Sequence, residues 1–455
     1  MRVFNRQVSA RGLTVFGFET LLICGSVLFA ARLHGALDHA LSGLWKVVLV
    51  TALCELCFYY NDLYDLTRVH GKNELAVHVL QGTGAAAIAL AAVSLLLPSL
   101  VPARGTFLTT LGLLLVAVPA WRLAFIGLTS DPHLEERILI VGTGLLAQTV
   151  ARAIRTQHDF PYRIVGFVAD AVADGGPAAA PLLGTTADLQ RVLDSHRVDR
   201  VVVGVSDRRG HLPIQQLLQA KLSGVCVEDA ATTYERIAGK ILVDDLKPSW
   251  LIFSDGFEAS RLTRVSKRTF DLVCAAFGFV LALPLMAVTA LAIRLESAGP
   301  VFYCQERVGE GGRPFVLFKF RSMRTDAESG TPIWARDKDD RVTRVGRFIR
   351  LTRLDELPQF WNVLRGDMSF VGPRPERPFF VQQLEQAIPF YMARHAVKPG
   401  VTGWAQVKYR YGASVEDAHE KLRYDLYYIK HRSLAFDLTV LLDTVKVILA
   451  RKGAQ

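Results

Sequence analysis

The sequence predicts three parts in order: a bundle of membrane α-helices, an α/β domain on a small parallel sheet, and a mixed α+β domain entered through a re-entrant membrane helix. Three observations predict it. The 455 residues are 51% apolar with positive mean hydropathy, which points to a membrane protein of two or three domains. Apolar segments crowd the N-terminal part, and a strand–glycine–helix pattern follows at Arg137–Ala147. A further apolar stretch, interrupted by Pro284, then precedes an arginine-rich remainder. These features place the parts at 1–130, 135–250 and 265–455, with the re-entrant helix over 268–296.

The first part carries apolar segments at roughly Leu13 to Leu33, Leu44 to Tyr60, Val77 to Leu100 and Phe107 to Leu128. Each is near the ~20 residues that a bilayer core requires. Arg2, Arg6 and Arg11 precede the first segment, and Arg68, His70 and Lys72 fall between the second and third. The positive-inside rule therefore puts the N-terminus in the cytoplasm and returns the chain there after four crossings. Glu55 lies in the second segment, where a carboxylate either marks a polar path or, as expected here, pairs within the bundle or snorkels. The first segment is too long for a signal h-region and lacks a clear cleavage site, so no cleavable signal is expected. Cys54 and Cys57 form a C-x-x-C inside an apolar helix with no second pair nearby, which argues against zinc or redox use. The net charge of +10 suits anionic headgroups and phosphorylated ligands. No nucleic-acid-binding signature accompanies it, and much of the basic excess flanks apolar segments, so nucleic acid is not expected as a partner.

In the second part, Gly142, Gly144 and Ala147 have G-x-G-x-x-A spacing after the strand Arg137–Val141, a Rossmann-like start. A strand from Arg163 to Val168, a helix around Thr186 to Ser195 and a strand from Arg200 to Val205 continue the alternation and predict a parallel sheet. Gly142 and Gly144 are candidate cofactor-binding residues, and Asp170 lies near the spacing of a ribose-binding acid. Tyr162 and Tyr234 lack a lysine four residues on, so the Tyr-Lys pair of short-chain dehydrogenases is missing. A structural or regulatory domain is the favoured reading, with nucleotide binding as the alternative.

Ser266 to Glu296 is apolar after Lys267-Arg268 and Asp271, with Pro284 in its middle. A straight span would carry the arginine-rich remainder to the opposite face. A proline bend lets the helix dip into one leaflet and return, and a kinked spanning helix is the alternative. Two strands around glycines 309, 311 and 312 follow, with Lys319 and Arg321 on one face and Phe318 and Phe320 on the other. The basic run from Arg336 to Arg353 leads to Asp355 and Glu356. These follow Thr352 at capping-box spacing, so the pair is expected to open a helix, where amide dipoles favour ionised carboxylates. One carboxylate can then attack while the other holds a metal. Arg350, Arg353, Arg365 and Arg374 surround the pair, as an anionic substrate requires. Arg374 sits between Pro373 and Pro375, which fix its backbone. The last stretch, Leu422 to Leu449, includes Tyr424-Asp425-Leu426-Tyr427-Tyr428-Ile429-Lys430 and then an amphipathic helix from about Phe436, which packs on the domain or lies in the interface.

Asp355-Glu356-Leu357-Pro358-Gln359, Gly366-Asp367-Met368-Ser369-Phe370-Val371-Gly372-Pro373-Arg374-Pro375 and Lys398-Pro399-Gly400-Val401-Thr402-Gly403-Trp404-Ala405-Gln406-Val407 together resemble the bacterial sugar transferase family. The resemblance runs from about Val265 to the C-terminus. It implies polyisoprenyl-phosphate hexose-1-phosphate transfer at the cytoplasmic face of the bacterial inner membrane, starting exopolysaccharide or O-antigen repeats. It also implies a re-entrant helix with a breaking proline, matched by Pro284, and a Rossmann-like module like that of the larger members. By this resemblance Asp355 is the nucleophile, Glu356 the ligand of Mg²⁺, and Lys319, Arg321, Arg374, Gln406 and Arg410 the substrate-binding residues. The implied substrates are undecaprenyl phosphate and a UDP-sugar, with UDP-glucose the expected donor. The chain departs from many relatives in reading Lys408-Tyr409-Arg410-Tyr411-Gly412 after Val407, which favours the exopolysaccharide-associated branch. Two other readings are a non-catalytic assembly protein and a nucleotide-sugar oxidoreductase using the Rossmann-like domain. Homo-oligomerisation is left open.

Overall fold

The computed structural model describes residues 2–3, 6–7, 10–35, 44–61, 63–64, 72–96, 104–129, 135–156, 162–170, 180–205, 212–243, 254, 256–258, 260–325, 327, 340–409, 412 and 414–449. They form two compact units whose main stretches are Gln7–Thr233 and Tyr234–Gln455.

The first unit opens with α1 (Ala10–Leu33), α2 (Leu44–Tyr60), α3 (Lys72–Leu96) and α4 (Arg104–Thr129) on the apolar segments. Ile23, Val27, Cys54, Phe58, Leu114 and Val118 are buried among these helices. Leu21, Phe29, Val48, Leu80, Ile88 and Val116 point outward. Helices apolar on every side suit a membrane rather than water. Among the described residues, Thr14–Leu33, Gly105–Phe125 and a later helix at Arg261–Glu296 are long and apolar enough to span. The α2 helix has 17 residues, and the apolar part of α3 is Val77–Val93. Among the described residues, the buried Glu19 and the partly buried Glu55 each have a partner. Arg122 donates from Nε and Nη2 to Glu19 at 2.6 and 3.2 Å, and Thr20 donates to Glu55. Glu55 is thus paired inside the bundle.

The same unit holds an all-parallel sheet built from β1 (Glu136–Val141), α5 (Leu145–Thr156), β2 (Tyr162–Val168), β3 (Leu182–Gly184), α6 (Leu189–His196), β4 (Arg200–Val203), α7 (Ile214–Leu222) and β5 (Cys226–Asp229). The strand order is β3-β2-β1-β4-β5. The order reverses between β1 and β4, as in doubly wound sheets. The edge strands β3 and β5 were not among the sequence candidates. They have three and four residues and no fully buried position, so they carry no readable hydrophobic pattern.

α8 (Ala230–Ala238) leads into the second unit. There α9 (Arg261–Glu296) begins at Ser260, whose Oγ accepts from Thr263 N at 3.1 Å, and runs unbroken through Pro284 for 36 residues. The proline removes one main-chain donor without ending the helix. Both halves of α9 are fastened to this unit. Near its start, Lys267 Nζ donates to Asp437 Oδ2 at 2.6 Å and to Val371 O at 3.2 Å, Arg268 donates to Val363 O and Leu364 O, and Asp271 accepts from Phe370 N. Near its end, Met286 and Ile293 pack on Phe320 and Ile349, and Glu296 accepts from Val345 N at 3.0 Å. The other face, with Val273, Phe277, Val280, Leu281, Val288 and Leu291, is exposed.

β6 (Phe302–Val308) and β7 (Pro314–Phe320) follow as an antiparallel hairpin. Gly311 and Gly312 have φ of +66° and +75° in its turn, so backbone geometry accounts for these glycines. Then come α10 (Arg344–Leu351), α11 (Gln359–Arg365), β8 (Ser369–Val371), α12 (Pro378–Ala387), β9 (Gly400–Thr402), α13 (Trp404–Lys408), α14 (Val415–Lys430) and α15 (Leu434–Leu449). The run from Arg336 is described only from residue 340. Leu422, Leu426, Tyr428, Phe436 and Val440 are fully buried with Trp404 in one core. The C-terminal stretch therefore packs on the domain, with its last helix starting at Leu434, close to the expected Phe436. Trp404 donates from Nε1 to Gly239 O at 2.8 Å, and its indole serves that core.

Candidate active site

The carboxylate pair sits between two helices rather than at the start of one. Thr352 Oγ1 donates back to Phe348 O at 2.8 Å and so closes α10; the capping-box reading of Thr352 is corrected. Arg353 then takes φ +59°, a left-handed conformation uncommon outside glycine. Asp355 and Glu356 lie in the single 3₁₀ turn Leu354–Glu356, and α11 starts only at Gln359. Side-chain cations, rather than a helix dipole, therefore set the charge of the pair.

Three of them converge on Glu356 Oε1: Arg374 Nη2 at 2.9 Å, Lys319 Nζ at 3.2 Å and Arg353 Nη1 at 3.7 Å. Burial opposes ionisation of Glu356, but Lys319, Arg374 and Arg353 outweigh it and hold this carboxyl well below the usual range. Its Oε2 accepts no hydrogen bond among the described residues. Asp355 is only 7% exposed and has no hydrogen bond among the described residues. Burial pushes its pKa up, Lys319 opposes that and Glu356 reinforces it, and the balance is a raised value. The two neighbours are thus driven in opposite directions, one a fixed anion and the other a poorly solvated carboxyl group.

Arg374 is held from several sides. Gly400 N donates to Pro373 O and Gly372 N to Thr402 O, each at 2.9 Å, which ties the segment to β9 through the parallel β8–β9 pair. A Cβ on Gly372 or on Gly400 would collide with the backbone of the opposite segment, so both motifs carry glycine at the crossing. Arg394 Nη2 donates to Arg374 O at 3.0 Å. Arg394 also reaches Asp425 Oδ2 from Nε and Nη2 at 3.1 and 2.8 Å, and the Tyr391 hydroxyl from Nη1 at 2.7 Å. These two supporting residues were missed in the sequence. They are 31 residues apart, and only the fold brings them together.

The other candidates are placed as follows. Lys319 lies on β7 against Glu356. Arg321 lies past the end of β7 and gives its guanidinium to Ser297 O, Ser297 Oγ and Ala298 O at 2.8–2.9 Å. No ion pair or hydrogen bond joins it to Asp355 or Glu356 among the described residues. Arg365 pairs with Asp367 at 3.4 Å. Gln406 on α13 donates from Nε2 to Val401 O at 3.5 Å, and its Oε1 is buried with no partner among the described residues. Arg410 lies outside the described residues. In the first unit, Gly142 has φ +103°, and a Cβ there would stand 3.1 Å from the Gly204 carbonyl group. Close strand packing is sufficient reason for this glycine. Gly144 precedes α5. Asp170 accepts from Thr186 N and Oγ1 at 2.8 and 2.6 Å and so caps a turn.

No group of three or more His, Cys, Asp or Glu side chains converges among the described residues. A preformed all-protein cage is therefore absent among them, while Mg²⁺ characteristically takes one or two carboxylates and completes its shell with substrate phosphates and water. Glu356 Oε2 and the adjacent Asp355 carboxylate fit that donor set.

A family model described as bacterial sugar transferase matches residues 262–451, and one described as a CoA-binding domain matches residues 60–216. The chain is 44% identical over 239 residues to a UDP-N-acetylgalactosamine-undecaprenyl-phosphate N-acetylgalactosaminephosphotransferase of Aeromonas hydrophila, covering 52% of this chain and 56% of that protein. It is 34% identical over 333 residues to an undecaprenyl-phosphate glucose phosphotransferase of Komagataeibacter xylinus, covering 70% and 60%. It is 30% identical over 341 residues to an undecaprenyl-phosphate galactose phosphotransferase of Salmonella typhimurium, covering 70% and 69%. The chain thus spans little more than half of the first two of these proteins.

Proposed function

Because this chain belongs to the bacterial sugar transferase family, we propose that it transfers a hexose 1-phosphate from a UDP-sugar to undecaprenyl phosphate, starting exopolysaccharide or O-antigen repeat synthesis. The observation that carries this reading is the contrast within one turn. Asp355 is buried without a hydrogen bond among the described residues, and Glu356 is fixed by three cations. Both reactants are anions, so direct attack of one on the other meets charge repulsion. A carboxylate nucleophile divides the reaction into two displacements. An Asp355 oxygen forms a bond to the sugar-bearing phosphorus while the bond from that phosphorus to the bridging oxygen breaks, and UMP leaves. An oxygen of undecaprenyl phosphate then attacks the same phosphorus, the aspartyl oxygen departs with its electron pair, and the carboxylate is restored. Arg374 and Lys319, fixed against Glu356, offset the charge that builds on the phosphoryl oxygens. Glu356, with Asp355 beside it, would hold Mg²⁺, which would add to the neutralisation of the diphosphate.

The relatives named above carry three different sugars, and the donor proposed here is UDP-glucose. Purified protein in nanodiscs with Mg²⁺, undecaprenyl phosphate and radiolabelled UDP-glucose, UDP-galactose or UDP-N-acetylgalactosamine is expected to move label into the lipid fraction, fastest from UDP-glucose, with release of UMP. Absence of lipid-linked label with all three donors contradicts the proposed reaction.

The same proposal puts the catalytic unit at the cytoplasmic face of the inner membrane, with the N-terminal helices crossing it and α9 entering and leaving by one side. A spanning helix presents its ends to opposite aqueous phases. The contacts of Lys267, Arg268 and Asp271 near one end, and of Glu296 at the other, are all made with a single compact unit. The exposed apolar face between them suits lipid. Single cysteines at Glu258 and Glu310 in a cysteine-free background are expected to label equally from the cytoplasmic side. Protection of either one there contradicts the re-entrant arrangement.

A further inference from the structure

Arg307 is a shielded cation that lies among other cations and faces one carboxylate, Glu376, at 3.7 Å among the described residues. It lies on β6 on the same face as Lys319, because Tyr303 stands opposite Lys319 in the hairpin and Arg307 follows Tyr303 at strand spacing. Its side chain is 18% exposed. Nη1 donates to Pro375 O at 3.0 Å, next to Arg374, and Nη2 donates to Gln305 Oε1 at 2.5 Å. Gln305 in turn donates to the Tyr303 hydroxyl at 2.8 Å, so the guanidinium is held at both ends of its fork. Nε is buried with no partner, and the only carboxylate paired with Arg307 among the described residues is Glu376, at 3.7 Å.

The contrast with Arg394 is instructive. That guanidinium takes two hydrogen bonds to Asp425, and its ionised form is stabilised. Burial instead lowers the pKa of Arg307, and although Glu376 opposes this, the charges of Arg374 and Arg377 reinforce it. Lys319 also feels Arg307 and Arg374 as repulsive neighbours. A shielded cation among cations is costly unless an anion joins it. Glu356 is engaged by Lys319, Arg353 and Arg374 and Asp425 by Arg394, which leaves Glu376, at 3.7 Å, as the carboxylate that faces Arg307 among the described residues.

Building on the transferase reading above, we propose that Arg307, together with Arg374, forms a phosphate subsite beside the Asp355–Glu356 turn that takes phosphoryl oxygens of a substrate. The fork held by Pro375 O and Gln305 presents a pre-set guanidinium, which is the geometry that phosphate recognition uses. The phosphate comes either from the nucleotide donor or from the lipid acceptor, and kinetics separate the two.

Inorganic pyrophosphate titrated calorimetrically into the full-length protein in nanodiscs is expected to bind wild type and to bind Arg307→Gln about ten-fold or more weakly. Arg307→Lys keeps the charge but not the fork, and is expected to fall between them. Thermal unfolding identifies the folded variants. In turnover, a rise in KM for the UDP-sugar alone assigns the subsite to the donor, and a rise for undecaprenyl phosphate alone assigns it to the acceptor. Wild-type pyrophosphate affinity in every folded Arg307 variant, or no binding to wild type, overturns the subsite. Should wild type transfer no sugar at all, the transferase reading fails, while the pyrophosphate titration still decides the subsite.

Discussion

Asp355→Asn is expected to lower turnover by about three orders of magnitude or more while leaving a folded protein. The side chains are nearly the same size, but an amide cannot attack phosphorus and leave again as a carboxylate. Folding should not suffer, because Asp355 makes no hydrogen bond among the described residues that an amide would lose. Its charge is disfavoured in the fold, since burial raises its pKa. An acid with a raised folded pKa binds its proton more tightly in the native state than in the unfolded chain. Stability is therefore lost as pH rises through that window, and at neutral pH the charged form is a burden. The Asn variant should unfold at the wild-type temperature or above it. The same shift sets the acid limb of the wild-type activity profile. Attack needs the ionised carboxylate, so activity should fall with decreasing pH at a point above that of an ordinary aspartate. Radiolabel transfer across a pH series, with thermal unfolding of both proteins, checks each part.

Breaking the Arg394–Asp425 pair should have the largest effect on stability. The two side chains are 5% and 2% exposed, and removing one partner leaves the other as an unpaired buried charge. Arg394→Leu is expected to cost about 3–5 kcal/mol, read as a large drop in thermal midpoint. The double variant Arg394→Met with Asp425→Leu removes both charges and should recover most of that loss. Activity should not return with it, because Arg374 O also loses its donor at 3.0 Å and the loop bearing the Arg374 guanidinium is no longer held. A double variant that is both stable and fully active would show that Arg394 has no positioning role beyond the fold.

Some of this architecture was legible because the responsible forces are local. Helix-length apolar segments marked α1–α4, and the turn between β1 and α5 announced itself by Gly142, whose φ of +103° and close approach to Gly204 favour glycine. The hairpin of β6 and β7 was readable from alternation around glycines. Other features are decided by tertiary contact. Thr352 has the spacing of an N-cap yet bonds backward to Phe348, because the chain turns at Arg353 before the next helix begins. Arg321 matches Lys319 in type and phase, but the strand ends between them, and the Ser297 and Ala298 carbonyls at the end of α9 take its donors. Pro284 lies within α9, which continues past it as helix although the proline removes one main-chain donor. Arg307 and the Arg394–Asp425 pair gave no signal, since nothing in one segment tells which carbonyl or carboxylate another will deliver.

The most direct test of the central claim is peptide mass spectrometry on protein quenched after incubation with UDP-sugar and Mg²⁺ but no undecaprenyl phosphate. The account predicts a hexose-phosphate adduct on the peptide bearing Asp355, UMP released in equal amount, and no adduct in Asp355→Asn. Full-rate UMP release on adding the lipid acceptor, from protein that never carries such an adduct, would contradict it.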